Sequence, residues 1–165
     1  MVDRVVALAE RVGLPEDKRL SLRIAAAYHD LGEVGIPPEV LEKEGKLDER
    51  ERQIVETHPV VGEKLLQRTI RVEEILEGVL YHHERYDGRG YPEGIEGEGI
   101  PRLARIIAVA ETFDALVTSR PYREALPLEE AYRELRDAAG YQLDPELVGE
   151  FIASGIGERI LEAED

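Results

Sequence analysis

Apolar residues near the start of the chain fall at Val5, Val6, Leu8, Ala9 and Val12, a spacing that lines one face of a helix over 2–12. Gly13-Leu14-Pro15 breaks that pattern, and Pro15 suits the first turn of a second helix running to about Leu31. This second segment becomes apolar nearly all round at Ile24-Ala25-Ala26-Ala27, so it is expected to be central. The stretch 32–40, with two glycines and Pro37-Pro38, reads as a loop. Asp48 and Glu51 have the spacing of a capping box at the head of a helix ending at His58, and Pro59 restarts the next. Val72, Ile75, Leu76, Val79 and Leu80 share one face of a predicted helix over 71–84. Five glycines and two prolines between Gly88 and Pro101 make an ordered loop or lid. A helix over 102–120 with few polar positions follows, then amphipathic helices over 128–140 and 144–154. No segment alternates with a strand period, so the fold class is all-α, with 1–165 as a single domain.

Composition narrows the function classes. The formal net charge is -15, which disfavours a nucleic-acid polymer or an anionic membrane surface as partner. A small anionic ligand stays compatible where arginines or metal ions are focused at one place. No cysteine is present, so disulfides and thiolate metal sites are excluded. There is no apolar run of transmembrane length and no signal peptide, and a cytoplasmic location is expected.

The chemistry concentrates in four histidines, His29, His58, His82 and His83. Each lies at or near a predicted helix end, and each of His29-Asp30 and His82-His83 is a doublet. Helix neighbours diverge by roughly 100°, so a doublet chelates one ion poorly and suits two ions about 3.5–4 Å apart. Asp30, read as catalytic as well as a ligand, can bridge two ions with its two oxygens. In the apolar helix over 102–120 the acids are Glu111 and Asp114, three residues apart on one face. Glu111 completes a ligand set of His29, Asp30, His58, His82, His83 and Glu111. Asp114 is either a further site residue or the partner of an arginine such as Arg105. Donors that are all nitrogen or oxygen, rich in imidazole, favour iron, manganese, nickel or zinc over magnesium or calcium. Arg120 and Arg123, three residues apart after that helix, make a plausible phosphate clamp, or balance a helix end.

The order H-D…H…H-H…acid, with "HHERYDGRGYPEGIEGEGIP", "FDALVTSRPYREAL" and "GYQLDPELVGEFI", resembles the HD-GYP family, a branch of the HD metal-dependent phosphohydrolases. The likeness runs from about residue 4 to residue 152. It implies an all-α HD-domain helical bundle with a Gly/Pro-rich GYP loop. It implies two or three metal ions, usually iron or manganese, of which two divalent ions are expected here, and hydrolysis of the bacterial second messenger cyclic di-GMP. It places His29, Asp30, His58, His82 and His83 at ligand positions, Arg120 and Arg123 on the substrate phosphates, and Tyr91 in a loop beside the pocket. It also implies an upstream sensor or receiver domain, or GGDEF proteins, as partners. The GYP loop disfavours an HD hydrolase of ppGpp or deoxynucleotides.

Three departures from the family pattern stand out. The first-helix region "MVDRVVALAE" lacks the family's further histidine, whose position falls at or before Met1. Either the chain is truncated at its N-terminus or the protein lacks that ligand; because family members follow a sensor or receiver domain, the chain is also expected to be the output part of a longer sensor protein. Glu33 occupies the place of the lysine in H-D-x-G-K, where it repels phosphate, substitutes as a ligand, or is a solvated loop residue. Glu111 replaces an aspartate. Two functions follow: a metal-dependent phosphodiesterase, or a degenerate domain that binds cyclic di-GMP or protein partners and transmits a signal.

Overall fold

The computed structural model describes residues 1–119 and 124–158. The chain order is α1 (Val2–Arg11), α2 (Glu16–Tyr28), a 3-10 turn (Leu31–Gly35), α3 (Pro38–Leu41), α4 (Glu49–Val55) and α5 (His58–Leu66). Then come α6 (Glu73–Leu80), a 3-10 turn (Gly97–Gly99), α7 (Arg102–Val117), α8 (Leu128–Ala138) and α9 (Pro145–Ala153). Among the described residues there is no strand, only the isolated bridges Asp87–Glu96 and Ala139–Leu143. The all-α expectation holds. No helix among these residues is long and apolar enough to cross a membrane.

The centre of the bundle is α7, which buries Leu103, Ala104, Ile106, Ile107, Val109, Ala110 and Phe113. It packs against α1, α2, α6, α8 and α9, whose Leu8, Leu22, Val79, Leu135 and Phe151 are buried against it. Each such side chain contributes about 1.5–3 kcal/mol by leaving water. The expectation that α2 is central is corrected. It buries Leu22, Ala25 and Ala26, but Leu20 and Tyr28 are exposed. Alanines carry too little surface to require burial on every side.

Local signals set several ends. Asp48 Oδ1 accepts from the Glu51 backbone N–H at 2.9 Å, and Glu51 Oε2 accepts from the Asp48 N–H at 2.7 Å, so the capping box forms as the sequence predicts. Asp144 caps α9, accepting from the N–H groups of Glu146 and Leu147, and also takes a hydrogen bond from Arg105. The 3-10 turn after α2 lies directly on α5. A Cβ on Gly32 would sit 1.9 Å from the His58 carbonyl oxygen, so only glycine permits this approach. That crossing brings Asp30, just before the turn, to His58, the first residue of α5.

Candidate metal centre

Three of the histidines follow the end of a helix. His29 comes directly after α2, His58 shortly after α4, and His82 two residues beyond α6. In each case Nδ1 meets the carbonyl three residues back: Ala26 at 2.9 Å, Val55 at 2.8 Å and Val79 at 2.6 Å. The last carbonyls of a helix have no intrahelical partner, so they are available to these rings. A carbonyl only accepts, so each Nδ1 carries the proton, and in a neutral ring Nε2 is left as a lone pair aimed away from the helix.

Those lone pairs converge. His58 Nε2 lies 3.3 Å from His82 Nε2. Asp30 Oδ1 is 3.6 Å from His58 Nε2 and 3.8 Å from His82 Nε2, while Oδ2 is 2.9 Å from His29 Nε2. Asp30, His58, His82 and His83 each offer a donor atom within 4.8 Å of the others. The side chains of His58 and His82 are almost wholly buried, whereas that of Asp30 is 42% exposed and forms the mouth. Burial and the neighbouring charges of His83 and His29 hold His82 well below the usual imidazole range. Burial, helped by His58, takes His83 down to about 4. For His29 burial acts downwards but is outweighed by the hydrogen bond and charge of Asp30 and by the charge of Glu111, so the pKa is raised. For Asp30 burial acts upwards and is outweighed by the hydrogen bond and charge of His29, with His82 and His58 adding, so the pKa is lowered. The centre thus sets the Asp30 carboxylate against the Nε2 atoms of His29, His58 and His82. The nitrogen and carboxylate donors gathered there fit a divalent transition ion.

The doublets work differently from the helical expectation. The predicted helix over 71–84 ends at Leu80, so His82 and His83 are free of the 100° rule and join the same donor group, with ring centroids 4.1 Å apart. Glu111 on α7 lies outside that group of four but lines the adjoining cavity of about 340 Å³ with His82 and His83. Tyr91 stacks on His83, centroids 4.9 Å apart and planes 29° from parallel. Burial and the charges of Glu111, Glu56 and Asp30 push its hydroxyl pKa up, so it remains a donor. Glu33 is half-buried in the 3-10 turn, its backbone N–H bonded to the Asp30 carbonyl. Asp114 turns elsewhere: it accepts from Arg4 Nη1 at 2.6 Å and lies 3.3 Å from the Met1 amine. The expected partner, Arg105, instead bonds the Ile100 carbonyl and Asp144. Arg120 and Arg123 lie outside the described residues.

Sequence reasoning passed over Glu84, Arg85, Thr112 and Gln142, which also line the cavity. For Glu84 a signal existed: an acid directly after a ligand doublet.

The HD domain family matches residues 2–147. A cyclic di-GMP phosphodiesterase response regulator of Xanthomonas campestris is 45% identical over 145 residues, 86% of this chain and 38% of that protein. A cyclic di-GMP phosphodiesterase of Thermotoga maritima is 40% identical over 147 residues, 88% of this chain and 40% of that protein. The chain therefore spans about two fifths of the length of these curated relatives. Among solved structures, a cyclic GMP-AMP-specific phosphodiesterase of Vibrio cholerae shares the fold with a TM-score of 0.71 at 20% identity, covering 98% of this chain and 42% of that one. An HDGYP protein of Bdellovibrio bacteriovorus aligns with a TM-score of 0.72 at 23% identity, covering 91% and 48%. With a family match over nearly its whole length, a helical bundle shared with these structures, and the His-Asp cluster beside a GYP loop, the chain belongs to the HD-domain family, in its HD-GYP branch.

Proposed function

We propose that this domain is a phosphodiesterase for cyclic di-GMP, using two divalent ions, iron or manganese, held by His29, Asp30, His58, His82, His83 and Glu111. The observation that carries the reading is Asp30, whose two oxygens face different histidines, as a bridging carboxylate requires. The names of the similar proteins, cyclic di-GMP phosphodiesterases at 40–45% identity, support the substrate. When bound, the ions supply Lewis-acid activation of water and offset the charge that develops on the phosphodiester. The chain's own residues do the rest. The carbonyls of Ala26, Val55 and Val79 fix three rings in advance, so no reorganisation is needed during reaction. Asp30 stays deprotonated at the mouth, where substrate arrives. Tyr91 offers a protonated hydroxyl at the wall. Ala108, Ala115 and Leu116 give the cavity an apolar side against which a base can lie. Arg120 and Arg123 are assigned to the two phosphates.

Action in the cytoplasm, downstream of a sensor or receiver domain or beside GGDEF proteins, belongs to the same proposal; one relative is named a response regulator, which supports it. The test is to load the purified protein with iron or manganese, count metal per chain, and follow cyclic di-GMP by chromatography. Conversion to a linear dinucleotide or mononucleotide is expected. Full metal loading with intact cyclic di-GMP would remove the enzyme reading and leave the binding domain, which Glu33 beside Asp30 would then explain by repelling phosphate.

A further inference from the structure

Glu84 is buried, with 4% of its surface exposed, directly after the His82-His83 doublet. No cation pairs with it among the bonds described. Its two oxygens instead accept three backbone N–H groups: Oε1 from Glu93 at 2.7 Å and Gly94 at 3.0 Å, and Oε2 from Ile95 at 3.0 Å. A side chain that accepts in this way from a segment nine to eleven residues later acts as an anchor for that segment. The segment between is the GYP loop, and its middle also lies tight on the same residues. A Cβ on Gly90 would fall 2.3 Å from the Arg85 nitrogen and 2.5 Å from the Glu84 Cα. The Tyr91 N–H bonds the His83 carbonyl at 3.3 Å. The base of the loop is closed separately, by Arg85 on Asp87 and by backbone bonds from Tyr86 and Asp87 to Gln142 and Tyr141. Glu84 is thus the hold on the far side of Tyr91, and Tyr91 is the ring laid over the ligand His83.

We propose that Glu84 is a positioning residue for substrate: by holding the backbone at 93–95 it fixes Tyr91 across His83, and so shapes the wall against which a cyclic dinucleotide is seated. The proposal rests on the phosphodiesterase reading above. Both Glu84 oxygens are engaged by the loop backbone, so the role is one of positioning through Tyr91. A Gln in its place sets an NH2 group against backbone N–H groups, so at least one of the three bonds is lost.

Three measurements on Glu84→Gln test this. Hydrogen exchange read by mass spectrometry should show amides 93–95 losing protection while α2 and α7 keep theirs. Metal per chain should be unchanged. KM for cyclic di-GMP should rise about tenfold or more, the loss expected for one charge-assisted bond, while turnover of bis(p-nitrophenyl) phosphate, which has no base or ribose to seat, stays within about threefold. If Glu84→Gln does not fold, Glu84→Asp, which keeps the carboxylate but shortens its reach to the 93–95 backbone, must give the same loss of protection at 93–95 and the same rise in KM. Unchanged protection at 93–95, an unchanged KM, or parallel loss of both activities with metal each overturns the proposal. The exchange measurement needs no substrate, so failure of the anchor is seen apart from failure of the function. An unmodified protein that binds metal but leaves cyclic di-GMP intact removes the function, and this role with it.

Discussion

Two groups of buried charged or titratable side chains flank α7, and they are built on opposite principles. On one side Arg4, nearly fully buried, donates to Asp114 and lies 5.7 Å from the centre of the Phe113 ring. Cation and anion meet there, and the pair joins α1 to α7. On the other side Asp30 and the histidines bring acceptor atoms together, with their protons already committed to helix carbonyls. The first group is complete as folded. The second gathers donor atoms in an arrangement that suits a cation. Asp114 belongs to the first group, while Glu111, three residues earlier on the same helix, lines the cavity beside the second, so an acid in an apolar helix acquires its meaning from what its neighbours already hold.

The sharpest break in that comparison is His82→Ala. It removes a buried donor from the centre and should reduce metal per chain and cyclic di-GMP turnover by a hundredfold or more, with the helical spectrum retained. Retained metal with full activity would show that the four-donor group is not the centre.

Acid should separate the two groups next. His83 titrates at about 4 when folded and near 6.5 when unfolded. The unfolded chain therefore binds the extra proton between those values, and stability falls as pH drops from 6.5 to about 4, then levels. The shift corresponds to at most about 3 kcal/mol, with His82 acting in the same direction. Thermal melting of metal-free protein from pH 7 to 4 reads this; a flat profile would mean that the rings are not buried neutral.

Asp114→Ala takes one carboxylate from the buried Arg4 and should cost about 2–3 kcal/mol, less than breaking a fully buried pair because Asp114 is partly exposed. The melting temperature should drop by roughly 5–10 °C. Metal binding should survive, and its loss would join the two groups that the geometry separates.

The smallest expected change is a gain. Glu33→Lys turns a negative charge in the turn after Asp30 into a positive one and should raise hydrolysis severalfold with metal content unchanged. Loss of both would make Glu33 a ligand, and no change in either would make it a solvated turn residue.

Much of the bundle could be read from the chain because its signals are local. The Asp48–Glu51 box, Pro59 at the head of α5 and the apolar face of α6 depend on residues within a turn or two of one another. The misreadings have a common cause. The helix over 71–84 seemed to continue because Leu80 and the aromatic Tyr81 prolong its apolar face, yet the Val79 carbonyl is taken by the His82 ring instead of sustaining another turn. The His82-His83 doublet was thus assigned to two ions by helical geometry that it does not have. Asp114 was offered to Arg105, although its partner Arg4 is 110 positions away. Glu84 is one of 36 acids, and what distinguishes it is three backbone N–H groups, which carry no side-chain signature. That Asp30, His58, His82 and His83 come together was legible, because histidine is scarce here and its spacing is not random.

The bond from each ring to the carbonyl three residues back has a kinetic consequence. A captured ion could not shed His29, His58 or His82 by a simple swing of the side chain, since each ring is tied to the last turn of the helix that precedes it. Letting go of a ligand and fraying a helix end become the same event. Release of metal to a chelator should then be slow, saturate at high chelator concentration, and follow the rate at which the ends of α2, α4 and α6 open.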